Sequence, residues 1–217
     1  MTGITGVAIV TGAGAGLGAA IALGFARKGW GVVVNFAANR DGAEAVVTGC
    51  RAAGGEAVAC QGDVASDADC RRLAATALDR WGRIDALASN AGITKFIAAE
   101  DLEGLSAEDF QRLYAVNVIG AFQMARAVAP AMRRQGKGAI VNVSSFAGFR
   151  GFGSSLAYAV SKGALNTLTL GLARTLAPEI RVNAVCPSFA DTEWLAKGVG
   201  TAKSDAFKSK VAEASLL

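Results

Sequence analysis

The chain has 217 residues, 52% of them hydrophobic and 18% charged, with a formal charge of +4. That balance predicts one globular domain, 1–217, with a large core; there is no linker, low-complexity tract or internal repeat to divide it. The positive charge is dispersed, with small clusters at Arg71-Arg72 and Arg133-Arg134, so solvated helix faces account for it better than a nucleic-acid surface.

The N-terminus enters a strand almost at once, without a basic n-region or a cleavable apolar stretch, so no signal peptide is expected. No run reaches the ~18 uninterrupted apolar residues of a membrane span. Val7-Ala8-Ile9-Val10 is a short apolar run, followed by Thr11-Gly12-Ala13-Gly14-Ala15-Gly16-Leu17-Gly18 and an apolar helical pattern to Lys28. In that order, strand, glycine loop and helix form a phosphate cradle. The glycines let the backbone approach a pyrophosphate, which rests on the positive end of the helix. The spacing Gly12-x-x-x-Gly16-x-Gly18 differs from the usual Gly-x-Gly-x-x-Gly, although Gly14-x-Gly16-x-x-Ala19 fits a Gly/Ala version. A glycine loop alone could be a tight turn; its place after a first buried strand favours dinucleotide binding.

Alternating elements continue down the chain. Strands are predicted at 6–11, 31–36, 56–61, 84–89, 138–144 and 180–186, and helices at 17–28, 40–53, 67–81, 107–134 and 155–177. Runs such as Val32-Val33-Val34 and Ala139-Ile140-Val141 suit a parallel sheet covered on both faces. The expected fold class is α/β, a Rossmann-type doubly wound parallel sheet with helices on both faces and ligands outside its carboxyl edge. Cys50, Cys60, Cys70 and Cys186 form no Cys-x-x-Cys pair and the chain lacks histidine, so no metal site is expected. Reduced thiols in a cytoplasmic protein are the ordinary expectation.

The missing histidine also removes the usual general acid/base. Tyr158 and Lys162 stand one helical turn apart and share a face, so the ammonium can lie beside the phenol. A fixed cation there favours phenolate and pulls the phenol below its ordinary pKa of ~10. The bland alternative is a half-exposed tyrosine and a solvated lysine. Ser144 and Ser145 end a buried strand, where a hydroxyl can face the ligand crevice and where serines also serve turns; Ser145 stands thirteen residues before Tyr158. Asn117 interrupts a helical pattern as a poor helix former, and a satisfied polar core residue is its alternative. Tyr114 has Val118 at the following turn and is expected in the core or an interface.

Together these motifs resemble the short-chain dehydrogenase/reductase family over essentially the whole chain. Thr11 to Gly18 matches its cofactor loop, and Asp63-Val64 its Asp-Val, whose Asp reaches the adenine. Ser89-Asn90-Ala91-Gly92 stands for its Asn-Asn-Ala-Gly with the first Asn replaced. Pro187-Ser188 stands for its Pro-Gly, with Thr192 following. The resemblance implies cofactor contacts at Gly12, Gly16, Leu17, Gly18, Phe36, Asp63, Val64, Asn90, Ala91, Gly92, Tyr158, Lys162, Pro187 and Thr192. It also implies reversible hydride transfer between a nicotinamide and a carbonyl or secondary-alcohol substrate. Tyr158 would be the acid/base and Ser145 would hydrogen-bond the reacting oxygen. Lys162 would hold the nicotinamide ribose and lower the tyrosine pKa, and Asn117 would kink its helix and hold a relay water.

The second strand ends Asn35-Phe36-Ala37-Ala38-Asn39-Arg40, with Phe36 where an NAD-selective site carries an acid. The missing acid and Arg40 favour NADP, with NAD retained. Phe146, Phe149, Phe152, Phe189 and Trp194 suggest a partly apolar substrate pocket, and Arg150 is expected on a surface loop. A 3-oxoacyl-carrier-protein reductase is the narrower alternative, although Pro178-Glu179 sits where such relatives offer a basic docking residue. A non-catalytic dinucleotide-binding sensor is the rival of another class. The helix 156–177 is apolar or small nearly all round, which with the resemblance predicts a homo-oligomer, dimer or tetramer. No nucleic-acid or membrane partner is expected. The segment 197–207 is a candidate lid. Relatives continue past 203–214 into another helix and a closing strand, so truncation is an expectation here.

Overall fold

The computed structural model describes residues 3–214 apart from 99, 193, 195, 197 and 199, and of residues 203, 207, 210, 211, 212 and 214 only the backbone. Its frame is a parallel six-stranded sheet. In chain order the strands are β1 (Val7–Val10), β2 (Gly31–Phe36), β3 (Glu56–Gln61), β4 (Ala86–Ser89), β5 (Gly138–Val143) and β6 (Ile180–Val185). Their spatial order is β3-β2-β1-β4-β5-β6. The order reverses between β1 and β4, and at such a switch point the connections on either side leave a crevice at the carboxyl edge.

Helices α1 (Gly16–Ala26) and α2 (Arg40–Ala52) cover one face; α3 (Asp67–Trp81), α5 (Gly120–Arg134) and α7 (Leu156–Leu176) cover the other. The strand period of two explains how one run serves both layers. Ile9 and Val33 enter the core beneath α3, α5 and α7, while Val10, Val32 and Val34 enter the core beneath α1 and α2. Every residue of β1, β2 and β4 is buried. Burial of a Val or Ile side chain contributes about 1.5–3 kcal/mol, so the central strands hold the sheet. Helix starts are set by local chemistry: Ser66 accepts from the Asp69 amide at α3, and Ser155 from the Tyr158 amide at α7.

The helix expected over 107–134 departs from the sequence pattern. It runs as α4 (Ala107–Tyr114), a π-helical turn over Ala115–Ile119 and then α5. A short α6 (Ala147–Arg150) precedes α7, and α8 (Thr201–Ala214) lies beyond β6. Within the candidate lid, residues 197 and 199 lie outside the described residues, and from Thr201 onward the backbone is helical. No helix of the described residues is long and apolar enough to cross a membrane. Arg71 and Arg72 pair with Asp67 and Asp69, so that cluster is largely neutralised at the surface.

Candidate active site

The glycine loop leaves β1 pinned from two sides. The Thr11 hydroxyl accepts from the amides of Asn90 and Ala91, each at 3.0 Å, and the Asn90 side chain donates to the carbonyls of Thr11 and Gly12. From the other side, Asn35 accepts the Gly12 amide at 3.1 Å and donates to the Gly62 carbonyl at 2.9 Å. Gly12 takes φ +61, and a side chain on it would press into the Ala91 backbone at 2.9 Å. A side chain on Gly18 would collide with the Gly12 carbonyl and the Asn90 amide. Only glycine lets α1 start this close to β4.

Across the switch point, β5 ends at Val143 and delivers two serines with different duties. Ser144 donates to the Lys162 backbone carbonyl at 3.1 Å and so ties the strand end to α7. The Ser145 hydroxyl accepts the Ala147 amide at 3.2 Å and lines the same cleft as Tyr158. Lys162 is 3% exposed, with its ammonium 5.7 Å from the Tyr158 ring centre. That ammonium donates to the Val143 carbonyl at 2.8 Å.

Burial governs the protonation of this pair. It pushes the Tyr158 phenol above its ordinary value, partly offset by the neighbouring Ser145 hydroxyl. Burial also brings Lys162 down to about 8. The direction is therefore opposite to the lowering expected from Lys162: desolvation is the largest cause, and the ammonium is directed at Val143. Tyr158 is a phenol at neutral pH, the form that donates.

Asn117 sits behind Lys162 in the π turn. Its side-chain oxygen accepts the Ile93 amide at 2.8 Å, and its nitrogen donates to the Ile93 carbonyl and to Ser161, which itself donates to the Tyr158 carbonyl. Its side chain is thus committed to protein groups. A π turn shifts the hydrogen-bond ladder by one residue, here closed by the Gly120 amide on the Ala115 carbonyl. A side chain on Gly92 would sit 3.3 Å from the Asn117 oxygen and 3.6 Å from the Lys162 ammonium, so glycine keeps that space open.

These parts line one cleft of about 2130 Å³, together with Gly12, Gly16, Leu17, Asn90, Ala91, Gly92, Pro187 and Thr192. Gly18, Phe36, Asp63, Val64 and Asn117 are not among its lining. Phe36 is buried in the core beneath α2, with the Arg40 guanidinium 5.5 Å from its ring centre. Asp63 is exposed and accepts the Ala65 amide at 2.9 Å, shaping the turn into α3. The Val64 carbonyl accepts from buried Gln123 at 2.8 Å. Among the described residues no cluster could hold a metal ion.

Residues 6–201 match the short chain dehydrogenase family. The chain belongs to that family. This dehydrogenase is 40% identical to the 3-oxoacyl-[acyl-carrier-protein] reductase of Synechocystis sp., over 89% of its own length and 78% of that protein. It is 38% identical to versicolorin reductase 1 of Aspergillus parasiticus, over 86% of its length and 70% of that protein. Among solved structures, a 7α-hydroxysteroid dehydrogenase in complex with NADH and 7-oxo glycochenodeoxycholic acid superposes with a TM-score of 0.81. The two are 36% identical over 89% of this chain and 74% of that one. The short chain dehydrogenase is an NAD(P)-dependent oxidoreductase.

The cleft suits a dinucleotide, because a glycine-walled loop with free approach to a helix start opens into a space of that size. Of the two residues that position this dehydrogenase's loop, Thr11 was legible as the first residue of the loop motif, whereas Asn35 was not singled out from sequence. The visible signal for Asn35 was one amide inside the otherwise apolar run Gly-Val-Val-Val-Asn-Phe.

Proposed function

We propose that the protein reduces a ketone to a secondary alcohol, and catalyses the reverse, with Tyr158 as acid/base. The observation that carries this reading is the convergence on one cleft of Ser145, half-buried Tyr158 and buried Lys162, whose ammonium lies 5.7 Å from the Tyr158 ring centre. A bound nicotinamide cofactor would supply or accept the hydride. Gly12, Gly16, Leu17, Asn90, Ala91, Gly92, Pro187 and Thr192 would hold it in the cleft, with Gly18, Phe36, Asp63 and Val64 shaping the turns behind. Tyr158 gives its proton to the carbonyl oxygen, and Ser145 hydrogen-bonds that oxygen as charge develops on it. Lys162 holds the ribose and offers a cation beside the phenol as it ionises. Asn117 acts as a positioning residue, holding Ile93 and Ser161 around Lys162 and Tyr158.

NADP is the preferred cofactor in this reading. The end of β2 carries no carboxylate to repel a 2′-phosphate, and the exposed Arg40 stands over Phe36. We place the enzyme in the cytoplasm and assign it no nucleic-acid or membrane partner. Its partner is a second copy of itself: Leu156, Val160 and Leu170 form an exposed apolar stripe on α7, and Ile119 and Phe122 another at the start of α5. A carrier-linked 3-oxoacyl substrate is the narrower second reading, supported by the likeness to the Synechocystis reductase.

A Tyr158→Phe protein tests the mechanism. It is expected to bind NADPH as the parent does and to lose ketone reduction by about 10²–10⁴-fold, the usual contribution of a general acid. Undiminished turnover in that variant would remove Tyr158 from the chemistry.

A further inference from the structure

Beyond Ser145 and Tyr158 the cleft has a composition that hydride transfer does not require. Its wall is Phe96, Ile97, Phe146, Phe152 and Trp194, brought together from three separate segments. Trp194 meets the Tyr158 ring edge-on, with centroids 6.3 Å apart and an interplanar angle of 74°. Phe146, Phe152 and Trp194 remain 42%, 70% and 42% exposed, an apolar surface left uncovered beside the reacting group. Tyrosine proton transfer needs none of these rings.

The charges of the lining are also uneven. Lys162 is committed to the Val143 carbonyl and Lys208 to Asp191 at 2.7 Å. Among the described residues Arg150 is the remaining cation of the lining, and no carboxylate pairs with it. Its guanidinium lies 5.6 Å from the centre of the Phe146 ring. Stacking of that kind restrains a guanidinium while leaving its N–H edge free to meet an anion. A two-oxygen anion then fits it in a forked pair of hydrogen bonds.

Resting on the ketone-reductase reading, we propose that this half of the cleft selects a ketone with a bulky aromatic or polycyclic body and an anionic group at its far end. The rings lie along Trp194 and Phe152, and the anion is received by Arg150. A carboxylate of a free acid and the phosphate of a phosphopantetheine arm present the same chemistry to the guanidinium.

The test uses the full chain saturated with NADP⁺ and measures affinity by calorimetry, with turnover followed separately with NADPH and NADH. The probes are 1-tetralone, a 1-tetralone bearing a carboxylate on the ring remote from the ketone, and acetoacetyl-pantetheine with and without its phosphate. The carboxylate form is expected to bind about fivefold more tightly than neutral tetralone, the scale of one rim charge pair. That ratio falls to one in Arg150→Gln and inverts in Arg150→Glu. Trp194→Ala weakens both tetralones about tenfold, the upper range of an aromatic contact, without weakening ethyl acetoacetate. A phosphate preference that also follows Arg150 assigns the anion to a carrier arm, whereas a carboxylate preference alone assigns it to a free acid. Equal affinity for charged and neutral tetralone, or a preference that survives Arg150→Glu, overturns the proposal. Charge-dependent binding without turnover of any ketone would leave the subsite standing and overturn the ketone-reductase reading instead.

Discussion

Lys162 is held in the folded protein against its own preference for water. Its pKa of about 8 lies below the ordinary 10.5 because burial disfavours the charged form. The sign of the stability effect follows. The penalty is complete below about 8, and it is relieved as pH climbs from there towards 10.5, where the unfolded chain also gives up the proton. Relative to Lys162→Met, the parent should therefore gain stability on moving from pH 7 to pH 9.5, by about 2 kcal/mol. Urea unfolding of both proteins at the two pH values measures it. A difference that stays flat with pH would mean that the ammonium keeps its ordinary affinity for protons. Such a direction was not legible in the sequence. The Tyr-x-x-x-Lys spacing gives neighbourhood on a helix, but whether attraction or desolvation dominates depends on how completely β5 and α7 close over the pair.

Between elements, the connections carry the precision. Asn35 joins the glycine loop after β1 to the end of β3, through the Gly12 amide and the Gly62 carbonyl. Replacing it with leucine leaves buried polar groups without partners, at about 1–3 kcal/mol each. Asn35→Leu is expected to unfold at lower denaturant and to bind NADPH more weakly than the parent, by urea titration and by fluorescence titration. A stability loss with unchanged NADPH affinity would confine Asn35 to structural support. The strands themselves were readable because short apolar runs bounded by glycine leave little choice of element. What escaped was non-local. The partners of Asn35 come from segments 23 and 27 residues away, and nothing within β2 announces them. Asn117 marks an irregular helix, yet the π turn there depends on Ile93 and Ser161 arriving from other parts of the chain. Tyr114 was expected in the core or an interface; at 43% exposed it lies outside the core.

At the scale of the molecule, the apolar stripes of α5 and α7 point to self-association. Val160 and Leu170 lie on that surface, 49% and 62% exposed. The double variant Val160→Glu/Leu170→Glu is expected to sediment as a smaller species than the parent while keeping its far-UV circular dichroism. An unchanged sedimentation coefficient would move the contact elsewhere.

The sheet order carries a consequence of another kind. The cofactor loop hangs from β1 and β4, whereas Ser145, Tyr158 and Lys162 follow β5. Leu102 and Glu103, exposed in the connection between the two groups, are therefore a natural place to cut the chain. Neither piece then holds a complete site. The β4–β5 edge and the Lys95–Asp109 pair, at 2.7 Å, would have to bring the pieces back together. Two fragments ending and starting at that point, produced in one cell, are expected to be inactive singly and to recover NADPH-dependent ketone reduction together. Enzyme activity would then report directly on reassembly of a split molecule.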